Sequence, residues 1–195
     1  AIYAHIFAST VALVLGPLQF SSRLRSARAA LHRWLGRAYL GIGVLVGGVS
    51  GLVMALHAFG GVTARLGFAA LALAWLYTGT RAYQAIRTGE IAAHRRWMVG
   101  NFALTFAAVT QRIYLPASAV AGIDFERAYA AIAWLCWIPN LVFAELWFNR
   151  IVQPLVGNRL AGQVLVHAGG RGQLHERLVV ADVLALLEVR HQQGV

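Results

Sequence analysis

The sequence predicts an all-α polytopic transmembrane bundle with five visible spans and a short cytoplasmic C-terminal helix, and three observations carry that prediction. Of the 195 residues, 59% are hydrophobic and 12% charged, against about 45–50% and about 25% in soluble domains. The apolar residues gather into five continuous runs instead of alternating, which selects helices over strands. The formal charge of +10 comes from 17 cationic residues, every one an arginine, placed largely between the runs. A sequence pI near 11.2 would ordinarily suggest nucleic acid, but apolar runs of this length point to a bilayer, so nucleic acid is set aside as a partner.

The runs cover residues 2–20, 34–56, 64–83, 98–120 and 128–148, each long enough for a hydrocarbon layer that takes roughly 17–25 helical residues. The first carries a weak polar stripe of His5, Ser9, Gly16 and Gln19. In the second, Gly43, Gly47 and Gly51 recur at four-residue intervals, the spacing that lets membrane helices approach closely. His32, Gly36, Tyr39, Gly43 and His57 return to nearly one face of that helix at 100° per residue. The fourth run bears a stripe of His94, Met98, Asn101, Thr105 and Arg112. Arg112 is expected to snorkel or to pair with Asp124 or Glu126. Glu145, near the end of the fifth run, requires Arg81, Arg37 or Arg96 as its counter-charge. Pro139 followed by Asn140 predicts a kink with a satisfied amide. The single cysteine, Cys136, lies inside an apolar run and excludes a disulfide scaffold.

Arg23, Arg25, Arg28, Arg33 and Arg37 stand at the first connection without an acid, and Arg87, Arg95 and Arg96 stand against Glu90 at the third. Residues 58–63 carry no charge, and residues 121–127 balance Asp124 and Glu126 against Arg127. The positive-inside bias therefore places the arginine-rich loops and the C-terminus in the cytoplasm of a bacterial inner membrane. The chain is divided into a bundle over 1–150 and a cytoplasmic tail over 151–195, with a helix expected at 174–190. That tail helix is too short and too charged to span, and suits either the bundle surface or a partner subunit.

Several segments together resemble a known family. They are His5-Ile6-Phe7 through Leu15-Gly16-Pro17-Leu18-Gln19-Phe20, His32-Arg33-Trp34-Leu35-Gly36-Arg37, Gly60-Gly61, His94-Arg95-Arg96-Trp97-Met98, Ala107-Ala108-Val109-Thr110-Gln111-Arg112 and Trp134-Leu135-Cys136-Trp137-Ile138-Pro139-Asn140-Leu141. In this order they resemble the bacterial predicted membrane proteins called domain of unknown function 2306, over about residues 1–150. The resemblance implies a polytopic bacterial membrane protein with a further helix ahead of the first motif. It brings no reaction with it.

Chemistry must come from the residues. His32 and His94 stand at the same end of different helices, each followed by an arginine. Two such histidines can ligate a haem iron from both sides, so the candidate metal ligands are His32 and His94 for a haem b. Arg33, Arg37 and Arg95 would hold the propionates, and Gly36 would give the porphyrin room. A quinone or lipid headgroup is the other ligand considered. His5 and His57 form a mirrored pair at the opposite end; His57 lies ~37 Å along the helix from His32, so both are interfacial in a ~30 Å layer. The expected function is a membrane redox or cofactor-binding protein. The alternative is an accessory subunit that meets partner membrane subunits, besides lipids, through its glycine-lined face and its tail. There is no HExxH, no phosphate-cradling glycine loop and no CxxC.

Overall fold

In the computed structural model, residues 1–152 are described, and residues 1–149 form one compact unit. The tail helix expected at 174–190 lies outside the described residues. Every regular element among the described residues is helical, as required of chain that must satisfy its own backbone in lipid.

Helix α1 spans Ile2–Gln19 and leads through the short α2 (Ser22–Ala27) into α3 (Ala29–Ala38). The Ser21 side chain caps α2 by accepting from the Leu24 amide at 3.2 Å. From α3 the chain continues through a π-helical segment, Tyr39–Val46, into α4 (Gly47–Ala55). Gly60 (φ 81°) and Gly61 (φ 71°) then reverse the chain, a conformation a side chain would oppose. Helix α5 (Gly61–Arg87) runs back through the centre, packed on α4, α6 and α8. Next come α6 (Ile91–Thr105), α7 (Ala107–Val120), α8 (Phe125–Leu135) and α9 (Ile138–Phe143), the last passing into a π-helical stretch, Ala144–Val152. Asp124 caps α8 by accepting from the Arg127 amide at 3.1 Å.

Four of the helical stretches are long and apolar enough to cross a membrane: Ile2–Gln19, Ala29–Ala55, Gly61–Arg87 and Phe125–Phe148. The fourth of the five expected spans, 98–120, is instead two shorter helices that break at Phe106. A local cause is visible. The Thr105 hydroxyl donates to the Asn101 carbonyl at 3.1 Å, competing with the helical ladder, and the Val109 amide closes a tight turn on the Phe106 carbonyl. Only 22–33% of each candidate span is buried within the chain. Phe7, Val14, Leu45, Leu66 and Leu73 face outward, as lipid-facing residues do.

Small residues set the helix spacing. A methyl on Gly43 would come within 2.8 Å of the Ala12 methyl, and one on Gly67 within 2.9 Å of the Ala133 carbonyl. One on Gly16 would strike the Phe102 ring. Gly47 and Gly51 likewise face Trp75 and His5. The glycine-lined face, expected to meet a partner subunit, is therefore occupied by α1 and α5 of the same chain.

The chain breaks at Cys136 and Trp137, so that Pro139 stands in the first turn of α9 instead of kinking a continuous helix, and the Asn140 amide is satisfied. The Asn140 amide donates to the Cys136 carbonyl and to the Thr110 hydroxyl, both at 2.9 Å.

Candidate functional site

Three polar regions lie along the bundle. The middle one is a closed network. The Tyr39 hydroxyl donates to Asn101 Oδ1 at 2.7 Å and lies 3.0 Å from the Thr105 hydroxyl. Trp75 Nε1 donates to that same hydroxyl at 2.9 Å. Asn101 Nδ2 donates to the Trp75 carbonyl and to the Thr78 hydroxyl, both at 2.8 Å. Tyr39 and Asn101 are wholly buried, so each bond replaces one that water cannot supply. The network joins three helical stretches, and its Trp75 and Thr105 also line the cavity at the arginine-poor end.

At the arginine-rich end stand the residues expected to hold a haem. His94 is half-buried, its Nδ1 donating to the Ala82 carbonyl at 2.8 Å, and His32 is within its electrostatic reach. The structure thus brings the two histidines into one region. Arg25 and Arg33 also lie within electrostatic reach of His32, but the expected arginines do not close over the pair. Arg33 and Arg95 are exposed, and the Arg37 guanidinium lies 5.1 Å from the Trp34 ring centre. Gln19 Oε1 is only 3.2 Å from where a Gly36 methyl would stand, and Gln19 is buried. The Gln19 amide leaves no room beside Gly36 for a porphyrin, and these side chains as packed do not fit one. Gln19 Nε2 and His32 Nδ1 are buried without a hydrogen-bond partner. Among the described residues, no three His, Cys, Asp or Glu side chains gather as a metal cluster.

The charges expected to pair do so unevenly. Arg96 lies 3.7 Å from Glu145, with both side chains substantially exposed, an arrangement worth at most about 1 kcal/mol. Arg112 is exposed and donates to the Ala108 carbonyl at 2.7 Å, one turn back along its own helix.

The arginine-poor end is open. A cavity of about 600 Å³ lies among α1, α4, α5, α6, α7 and α8, within the range of small-molecule sites. Its walls are mostly apolar, with Phe68, Leu71, Ala72 and Tyr129 among them, and its polar groups come from His5, Ser9, Trp75, Thr105, Gln111 and His57. His5 Nδ1 sits 2.9 Å from the Gly47 carbonyl, and Ser9 Oγ is 3.4 Å from His5 Nε2. His57, exposed, places its Nδ1 3.1 Å from the Val53 carbonyl. Sequence reasoning reached His5 and His57 as a mirrored pair. It missed Phe68, Ala72, Ala108 and Tyr129, whose only joint property is to surround empty space, for which a sequence has no signal.

Outward-facing apolar helices around a buried polar centre define an integral membrane protein of the helical-bundle class. The family model described as "Predicted membrane protein", domain of unknown function 2306, matches residues 2–148. The chain belongs to that family. No curated protein and no solved structure matches it.

Proposed function

We propose that this membrane protein binds a lipid-soluble cofactor of the quinone class, held in the cavity at the arginine-poor end. The observation that carries the reading is the cavity itself: about 600 Å³, with aromatic side chains for a planar ring and a few polar groups, His5, Ser9 and Gln111 among them. Small-molecule sites combine mainly apolar walls with a few placed polar groups in this way. A quinone matches this chemistry, since its ring is flat and apolar and its two oxygens are polar. Haem at His32 and His94 is the weaker reading, because Gln19 is packed where the porphyrin would lie. The accessory-subunit reading loses its glycine-lined surface to α1 and α5. The expected location is a bacterial inner membrane with the arginine-rich end in the cytoplasm, on the positive-inside bias.

The test uses the full chain in lipid nanodiscs. Trp75 lines the cavity, so a short-chain ubiquinone is expected to quench tryptophan fluorescence saturably. Ala72→Phe, which fills the cavity, should weaken binding at least about tenfold, or ~1.4 kcal/mol. Quenching that follows lipid partitioning alone, equal in both proteins, would overturn the proposal. An absorbance spectrum after haem supplementation, with His32→Ala and His94→Ala as controls, tests the haem reading separately.

A further inference from the structure

We infer that the cavity engages its ligand through a hydroxyl group, with His5 Nε2 as the acceptor, so that it holds the dihydroxy (quinol) form in preference to the dione. The inference rests on the cavity reading above and specifies which form is bound.

The argument starts from a backbone carbonyl. Gly47 O accepts hydrogen bonds and cannot donate them, so at 2.9 Å the His5 Nδ1 must carry the hydrogen. In the neutral imidazole the other nitrogen, Nε2, then holds a lone pair and accepts. Among the described residues its hydrogen-bond contact is the Ser9 hydroxyl at 3.4 Å, a long one that leaves Nε2 weakly used. His5 and Ser9 both line the cavity.

The ring is held in this pose from both sides. Gly47 supplies the carbonyl, and Gly51 leaves the space: a methyl on Gly51 would lie 3.1 Å from His5 Cε1 and 3.2 Å from Nδ1. Gly47 thus sets the tautomer of His5, and Gly51, four residues on, leaves room for its ring. His57 repeats the pattern at the same cavity, with its Nδ1 hydrogen committed to the Val53 carbonyl at 3.1 Å. Both histidines therefore offer acceptor nitrogens.

An acceptor nitrogen discriminates between the two forms of the ligand. A quinol hydroxyl donates to it, whereas a quinone oxygen is itself an acceptor and would meet a lone pair without an intervening hydrogen. A site built to hydrogen-bond a hydroxyl rejects an analogue lacking it because its own polar atom is left unpaired. The hydroxyl proton stays on the ligand in this complex, and no electron transfer is invoked.

The experiment compares the full chain in nanodiscs with a short-chain ubiquinol kept reduced under anaerobic conditions, the matching ubiquinone, and the quinol dimethyl ether. The wild-type protein is expected to bind the quinol about tenfold more tightly than either other form, and His5→Phe to make all three equal. Independently of that variant's folding, nitrogen NMR of the wild-type protein should show an unprotonated His5 Nε2 that shifts on adding quinol and not on adding the ether. Saturable binding of all three forms with equal affinity, or a preference that survives His5→Phe, would overturn this inference and leave the cavity reading standing. Absence of saturable binding by any form would overturn both.

Discussion

The middle of the bundle and its arginine-rich end contain similar polar residues, and their circumstances are opposite. In the middle, Tyr39, Trp75, Thr78, Asn101 and Thr105 share hydrogen bonds of 2.7–3.0 Å across three helical stretches. At the end, Gln19 and His32 each bury a nitrogen that meets nothing. Burial of a polar atom stabilises a fold only when the partner is buried with it. The middle network therefore organises packing, while the Gln19 amide is tolerated because α1 and α3 close over it.

The largest expected break in that contrast is Asn101→Leu. It removes the acceptor for Tyr39 and the donor for the Trp75 carbonyl and Thr78, and should lower stability by about 2–3 kcal/mol, read by detergent-driven unfolding in mixed micelles. Gly43→Ala attacks the helix spacing on which the network depends, since the new methyl would sit 2.8 Å from the Ala12 methyl and 3.1 Å from its Cα. A loss of about 1–3 kcal/mol is expected. Gly41→Ala, with nothing within 4 Å of the added methyl, should stay within about 0.5 kcal/mol of the wild type. Tyr39→Phe deletes one hydroxyl and leaves Asn101 Oδ1 short of a donor, for about 1 kcal/mol in the same assay. Gln19→Leu should be the smallest, neutral or slightly stabilising, because it removes a buried donor that has no partner. A loss as large as that of Asn101→Leu would show that the two regions are alike after all.

Much of this contrast was legible in the sequence, and its decisive part was not. The stripe of Asn101, Thr105 and Met98 was read from spacing alone, and all three are buried. Periodicity could place them on an inward face because a helix repeats regularly. Arg112, on the same stripe, is exposed, in keeping with a snorkelling side chain, although the helix that was to carry it stops at Phe106. Glycine spacing announced close approach without saying to what, so a face reserved for a partner proved to be filled by Ala12, Trp75 and His5. His32 and His94 lie within electrostatic reach of each other, but the intrusion of Gln19 beside Gly36 depends on where α1 ends relative to α3. Cavities are the least legible feature, since they are defined by the atoms that fail to reach each other.

The break at Phe106 bears on how the chain enters a bilayer. A continuous apolar helix can be retained by hydrocarbon alone, but α6 and α7 are each too short to span, and α7 carries Arg112, a residue whose transfer to mid-membrane is costly. Their hold must come from neighbours: Asn101 and Thr105 on α6 bond to Trp75 and Thr78 on α5, and Thr110 on α7 receives Asn140 of α9. The sixth helix should accordingly become fixed only once α5 is seated beside it, and the seventh only once α9 has reached it.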